Sequence, residues 1–176
     1  MTEHQKKIIL TGYRATGKSS VGRLLAERLQ VGFIDMDEVL TARHGEISEL
    51  VRERGWAYFR AREKELLEEL VARREAVIST GGGAVLHREV WQKLKETGLV
   101  VWLNADPETI GARLAADAVS DSQRPSLTGS DIKAEAAKVL AEREPLYREG
   151  SHLRVDATRP LAEVVEKIEQ ALREGA

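Results

Sequence analysis

Five short apolar runs recur along the chain, and a longer stretch with helical periodicity separates each from the next. KIILTG (7–12), VGFID (31–35), AVIST (76–80), LVVWLN (99–104) and HLRVDA (152–157) have strand character. Helical periodicity occupies 18–30, 57–73, 87–97, 106–116, 131–147 and 160–173. Strands alternating with helices predict right-handed crossovers and a parallel sheet. Several runs are apolar throughout, as strands covered on both faces are. A layered α/β domain is the fold class this pattern allows, and 176 residues suit one such domain with a real core. No internal repeat and no linker rich in Gly, Pro or Ser divides it, so residues 1–176 read as one domain. The long polar gap at 117–130, DAVSDSQRPSLTGS, lies between two helices, and a loop of that length is functional or disordered.

Composition narrows the partners. Hydrophobic residues make up 42% and charged residues 32%, as in ordinary soluble proteins. A net charge of −2 gives no basic surface for nucleic acid or membrane. With no cysteine, disulfides and thiolate metal sites are excluded, which fits a reducing compartment. The N-terminal MTEHQKK is polar, and no apolar run approaches membrane-spanning length. Aromatic residues at 5% leave little for base stacking. The expectation is a soluble cytoplasmic protein with small-molecule partners.

Directly after the first apolar run comes GYRATGKSS (12–20), which satisfies G-x-x-x-x-G-K-[ST] with Gly12, Gly17, Lys18 and Ser19. The glycines let the backbone curl so that N–H groups converge on phosphate oxygens. A helix beginning at Lys18 adds its positive dipole end. Lys18 is then a mobile charge for the β and γ phosphates, and the Ser19 hydroxyl a ligand for Mg²⁺. The alternative is a Gly-rich turn that merely caps a helix. The strand before and the helix after favour a nucleotide phosphate cradle running from Gly12 through Tyr13, Arg14, Ala15 and Thr16 to Ser20.

Three further clusters fall near it. In FIDMDEV, Asp35 and Asp37 follow the second run; in an extended chain they face one side, roughly 7 Å apart. That spacing suits one carboxylate for the Mg²⁺ shell and one for an acceptor hydroxyl, beyond a strand end where open α/β sheets bind ligands. Alternatively, one aspartate simply N-caps the helix that follows. In WAYFRAREKELLEELV (56–71), a wheel of about 100° per residue puts Arg60 and Glu63 on the same face as Phe59, Leu66, Leu67, Leu70 and Val71. A charged pair on a core-facing stripe needs a pocket to justify it, unless it is a surface salt bridge at a frayed helix start. In STGGGAV, Gly81, Gly82 and Gly83 permit close approach of a ligand to the backbone, or form a plain flexible turn.

Taken in order, G-x-x-x-x-G-K-S, F-x-D-x-D, F-R-x-x-E, a GGG turn, R-P and E-R-x-x-L-Y resemble shikimate kinase across nearly the whole chain. The resemblance implies a P-loop fold, three layers α/β/α, with a five-stranded parallel sheet in the order 2-3-1-4-5. It implies transfer of the γ-phosphoryl of ATP, with Mg²⁺, to the 3-hydroxyl of shikimate on the route to chorismate and the aromatic amino acids. Carried over residue by residue, Lys18 resembles the phosphate-binding lysine, and Ser19 and Asp35 the Mg²⁺ ligands. Asp37 resembles the acceptor-binding base. Arg60 and Arg143 resemble the pair that grips the shikimate carboxylate, with Glu63 orienting Arg60 and Gly81 to Gly83 closing the site. Arg124 resembles the lid arginine within 117–130, and Arg159 the residue flanking adenine. Two departures stand out: Ala15 replaces a third glycine, and the lid reads RPSL with a longer gap after Arg113.

Other readings start from the same cradle. A gluconate-type kinase on the same scaffold also wants arginines and an aspartate, and a non-catalytic nucleotide-binding regulator needs only the fold. The intact set of Lys18, Ser19, Asp35 and Asp37 speaks for catalysis. A monomer acting on ATP and shikimate is the expectation.

Overall fold

All five apolar runs form strands. The computed structural model describes residues 7–116 and 132–175, so the lid segment 117–130 and Arg124 lie outside the described residues. In chain order the elements are β1 (Lys7–Thr11), α1 (Lys18–Leu29), β2 (Phe33–Asp35), α2 (Met36–His44), α3 (Ile47–Val71) and β3 (Ala76–Ser79). A short 3-10 turn (Ala84–Leu86) leads to α4 (Arg88–Thr97), β4 (Leu99–Asn104), α5 (Pro107–Ala116), α6 (Ile132–Glu149), β5 (Leu153–Asp156) and α7 (Leu161–Glu174). The strands form one parallel sheet in the order β2-β3-β1-β4-β5.

Strand periodicity explains the three layers. Ile8 and Leu10 of β1, with Val101 and Leu103 of β4, face the side covered by α1, α5 and α7. Their neighbours Ile9, Val100 and Trp102 face α2, α3 and α4. Both faces are dry, which is why the strands carry few polar residues. Helix α6 straddles the layers: Ala136 and Val139 join the first face, whereas Tyr147 stacks on Trp102 at 5.8 Å on the second.

Two stretches differ from the sequence expectation. Helix α2 and the first limb of α3 lie where no helical segment was expected, and α3 changes direction at Gly55 (φ 81°, ψ 167°). Residues 57–71 are the second limb. At the opposite end of the sheet from the strand C-termini, Lys7 is buried and its Nζ donates to Leu70 O (2.8 Å), Val71 O (3.0 Å) and Thr97 Oγ1 (2.8 Å). It thereby adds a donor to carbonyls in the last turn of α3, and burial pulls its pKa down to about 8.

Candidate active site

The cradle closes between β1 and α1. Tyr13 and Thr16 are buried beneath it, with Thr16 Oγ1 donating to Tyr13 O at 2.8 Å. Lys18 Nζ donates to Gly12 O (2.9 Å) and Tyr13 O (2.7 Å), so this lysine braces the loop from within. The short loop thus offers its own carbonyls within reach of the lysine. Ala15, at the position expected to favour glycine, takes a left-handed φ of 60°.

Two arginines tie the cradle to distant elements. Arg14 Nη2 donates to Glu135 Oε1 of α6 at 2.5 Å, and Glu135 is buried. Arg113 of α5 donates from Nη1 to Ala15 O (3.2 Å) and from Nη2 to Ala157 O (2.7 Å), joining the cradle to the turn after β5. Arg159 lies in that same turn, exposed, 3.8 Å from Asp156.

A cavity of about 560 Å³ opens over the cradle. Arg14, Ala15, Gly17, Lys18, Ser19 and Ser20 line one side, and Asp35, Asp37, Thr41, Ile47, Ser79, Thr80 and Gly82 the other. Ser19 Oγ donates to Asp35 Oδ2, joining the two sides. Asp35 Oδ1 accepts from the N–H groups of Asp37 (3.0 Å) and Glu38 (3.4 Å). Capping and a place in the cavity wall therefore coexist in one carboxylate. The extended-chain geometry expected for Asp35 and Asp37 is corrected, because the chain enters α2 at Met36. They line one cavity through a strand-to-helix turn.

Beside this cavity stands a second cluster. Glu63, in the second limb of α3, is 1% exposed and accepts from Arg60 Nη1 at 2.6 Å and His87 Nε2 at 3.0 Å. Burial pushes its carboxyl pKa up, but the His87 hydrogen bond and the Arg60 charge outweigh that and hold it below the ordinary value. The pair is thus no frayed-end salt bridge. The Arg60 guanidinium lies so close to Gly83 that a Cβ there would sit 2.3 Å from Nη1. A side chain there would have to displace the guanidinium. Gly82 O accepts from Arg143 Nη1 (3.1 Å) and Tyr147 OH (2.6 Å), and burial pushes the Tyr147 hydroxyl up to about 12. A Cβ on Gly82 would lie 3.3 Å from Gly12 O, so the glycine turn rests on the cradle itself. The carbonyls of Gly81 and Gly83 cap the next turn by accepting from Ala84 and Leu86.

The structure thus brings Lys18, Ser19, Asp35, Asp37 and Gly82 to one cavity, with Arg60, Glu63, Gly83 and Arg143 grouped at its flank. Arg159 stays at the rim of the β5 turn. His87 and Glu135 carry no motif and were missed; Tyr147 sits in the E-R-x-x-L-Y signature, which gave it no role.

A parallel 2-3-1-4-5 sheet with a phosphate cradle after its central strand, facing a carboxylate pair, defines a P-loop kinase. The shikimate kinase family profile matches residues 14–173. A shikimate kinase of Nitratidesulfovibrio vulgaris is 45% identical over 163 residues, covering 92% of this chain and 93% of its own. "Shikimate kinase 2" of Yersinia enterocolitica is 42% identical over 162 residues, with 92% of each chain covered. The structure of the Acinetobacter baumannii shikimate kinase in complex with shikimate superposes with a TM-score of 0.88 at 33% identity, covering 96% of this chain and 93% of its own. The chain belongs to the shikimate kinase family. A gluconokinase of Sinorhizobium meliloti, at 20% identity and a TM-score of 0.57, shares the fold.

Proposed function

We propose that the protein transfers the γ-phosphoryl group of ATP to the 3-hydroxyl of shikimate, giving shikimate 3-phosphate and ADP. The observation that carries this reading is the placement of two guanidinium groups, Arg60 and Arg143, on the glycine turn that rests against the phosphate cradle. A small hydroxylated carboxylate gripped there has its hydroxyls directed towards Asp37 and the cradle. Planar guanidiniums match a carboxylate in a way that ammonium groups do not.

In this reading the acceptor oxygen bonds to the γ-phosphorus as the bond to the β–γ bridging oxygen breaks. The acceptor proton passes to the Asp37 carboxylate, which also orients the hydroxyl. Lys18 and the N–H groups of residues 14 to 20 hold the phosphate charge. Arg124 meets the transferring group, and Arg159 flanks the adenine. Ser19 and Asp35 supply the hydroxyl and carboxylate oxygens that suit Mg²⁺, and they already touch. Among the described residues no three His, Cys, Asp or Glu side chains converge on one point. That donor set fits an ion that keeps water and phosphate oxygens in its shell; when bound, it neutralises phosphate charge.

The enzyme is read as a cytoplasmic monomer acting on small molecules. No helix among the described residues is long and apolar enough to cross a membrane. A coupled assay of ADP release, with ATP and Mg²⁺, tests the reading. Shikimate should be required and gluconate should not replace it; equal rates with gluconate, or release independent of shikimate, would sink it.

A further inference from the structure

Glu63 uses its two oxygens unequally. Oε2 accepts from both Arg60 and His87, while the buried Oε1 has no hydrogen-bond partner among the described residues. The last torsion of a glutamate is broad and roughly two-fold, so a single donor would leave the carboxylate free to rock. A second donor on the same oxygen fixes its plane.

His87 is itself held. Its N–H donates to Ala84 O at 3.1 Å, and its carbonyl accepts from Trp91 N at 2.8 Å in the first turn of α4. The imidazole is 13% exposed. Its chain segment also carries Gly83, on which the Arg60 guanidinium lies. One short turn therefore controls Arg60 twice, under its face through Gly83 and at its edge through His87 and Glu63.

We propose that His87 is a positioning residue for the acceptor: by donating Nε2–H to Glu63, it holds Arg60 ready to grip the shikimate carboxylate. Its effect passes through Glu63, and it touches neither ATP nor the reacting hydroxyl. This inference rests on the reading of Arg60 as the carboxylate grip. A grip held in place before binding strengthens acceptor capture without changing the chemical step.

The test uses the full chain, with steady-state kinetics for both substrates and Trp56 fluorescence as a second measure of shikimate affinity. Trp56 suits this because the Arg60 guanidinium lies 5.3 Å from its ring. His87→Leu should raise the shikimate KM about tenfold, the scale of one hydrogen bond to a charged group. The kcat should stay within about twofold and the ATP KM should not move. His87→Gln, whose amide nitrogen reaches nearly as far as Nε2, should recover most of the affinity. His87→Asn is too short and should not, which keeps the test available if the leucine variant fails to fold. An unchanged shikimate KM in His87→Leu or His87→Asn overturns the proposal, as does a loss shared by both substrates that glutamine does not rescue. Arg60→Lys, assayed alongside, separates the two readings. If it binds shikimate normally, the assignment of Arg60 is wrong; if it loses binding while the His87 variants remain normal, only the role of His87 falls.

Discussion

Ala15 sits in the bend of the cradle with φ at 60°, a conformation that costs an L-residue about 1–2 kcal/mol. Ala15→Gly removes that cost but adds freedom to the unfolded chain, so a net gain of about 0.5–1 kcal/mol is expected. Urea unfolding would check it; a loss of stability would mean that the alanine methyl is packed to advantage. In the proposed reaction Asp37 is the acid–base group, so Asp37→Asn should lower kcat by about two to four orders of magnitude with nucleotide affinity kept. A variant changed only in ATP affinity would reverse the roles of Asp35 and Asp37. His152 offers a pH test. Its Nδ1 accepts from Val100 N at 3.0 Å, and partial burial, with the Lys95 charge, lowers its pKa. Above the unfolded value of about 6.5 both states are neutral. As pH falls through that value the unfolded chain takes the proton first, so stability declines until the folded value is passed. Unfolding measured between pH 5 and 8 should show this decline. His152→Asn keeps an acceptor that does not titrate and should flatten it; an equal slope would place the effect elsewhere. Residues that act through local order, such as Lys18, Ser19 and the Arg60–Glu63 pair, were legible in the sequence. His87 and Glu135 were not, because each meets its partner only across the tertiary fold.

Helix α3 is two limbs joined at Gly55, whose φ of 81° and ψ of 167° belong to a region that other residues avoid. A side chain at this position would meet nothing within 4 Å, so Gly55→Ala tests the backbone alone. The expected loss is about 1–3 kcal/mol. Shikimate affinity should fall as well, since Trp56 and Arg60 follow directly. A neutral substitution would show that the joint adapts easily. The strands were readable because each is a continuous apolar run bounded by turns. Helix α2 and the first limb of α3 were not. Each buries only two apolar residues, Met36 with Leu40 and Ile47 with Val51, too few to establish a period. The register of the second limb was readable because five of its residues, Phe59, Glu63, Leu66, Leu67 and Leu70, are buried on one stripe.

At the scale of the molecule, the two clusters proposed to bind ATP and shikimate share one glycine turn, so each substrate should stabilise the fold by mass action. At a hundred times its dissociation constant, each should add about 2.7 kcal/mol, or roughly 5–10 °C in Tm for a chain of this size. Thermal unfolding with shikimate and with a non-hydrolysable ATP analogue measures this. Arg60→Lys should lose the shikimate shift and keep the other; loss of both would mean that the arginine supports the whole site. The sheet order came from the family resemblance, since alternation alone predicts a parallel sheet and leaves its order open. That order also bears on how the protein is made. The cradle strand β1 leaves the ribosome well before its partners among the described residues, β3, which starts at Ala76, and β4, which starts at Leu99. At about 5–20 residues per second, β1 waits several seconds for β3, an apolar edge open to chaperones in the meantime.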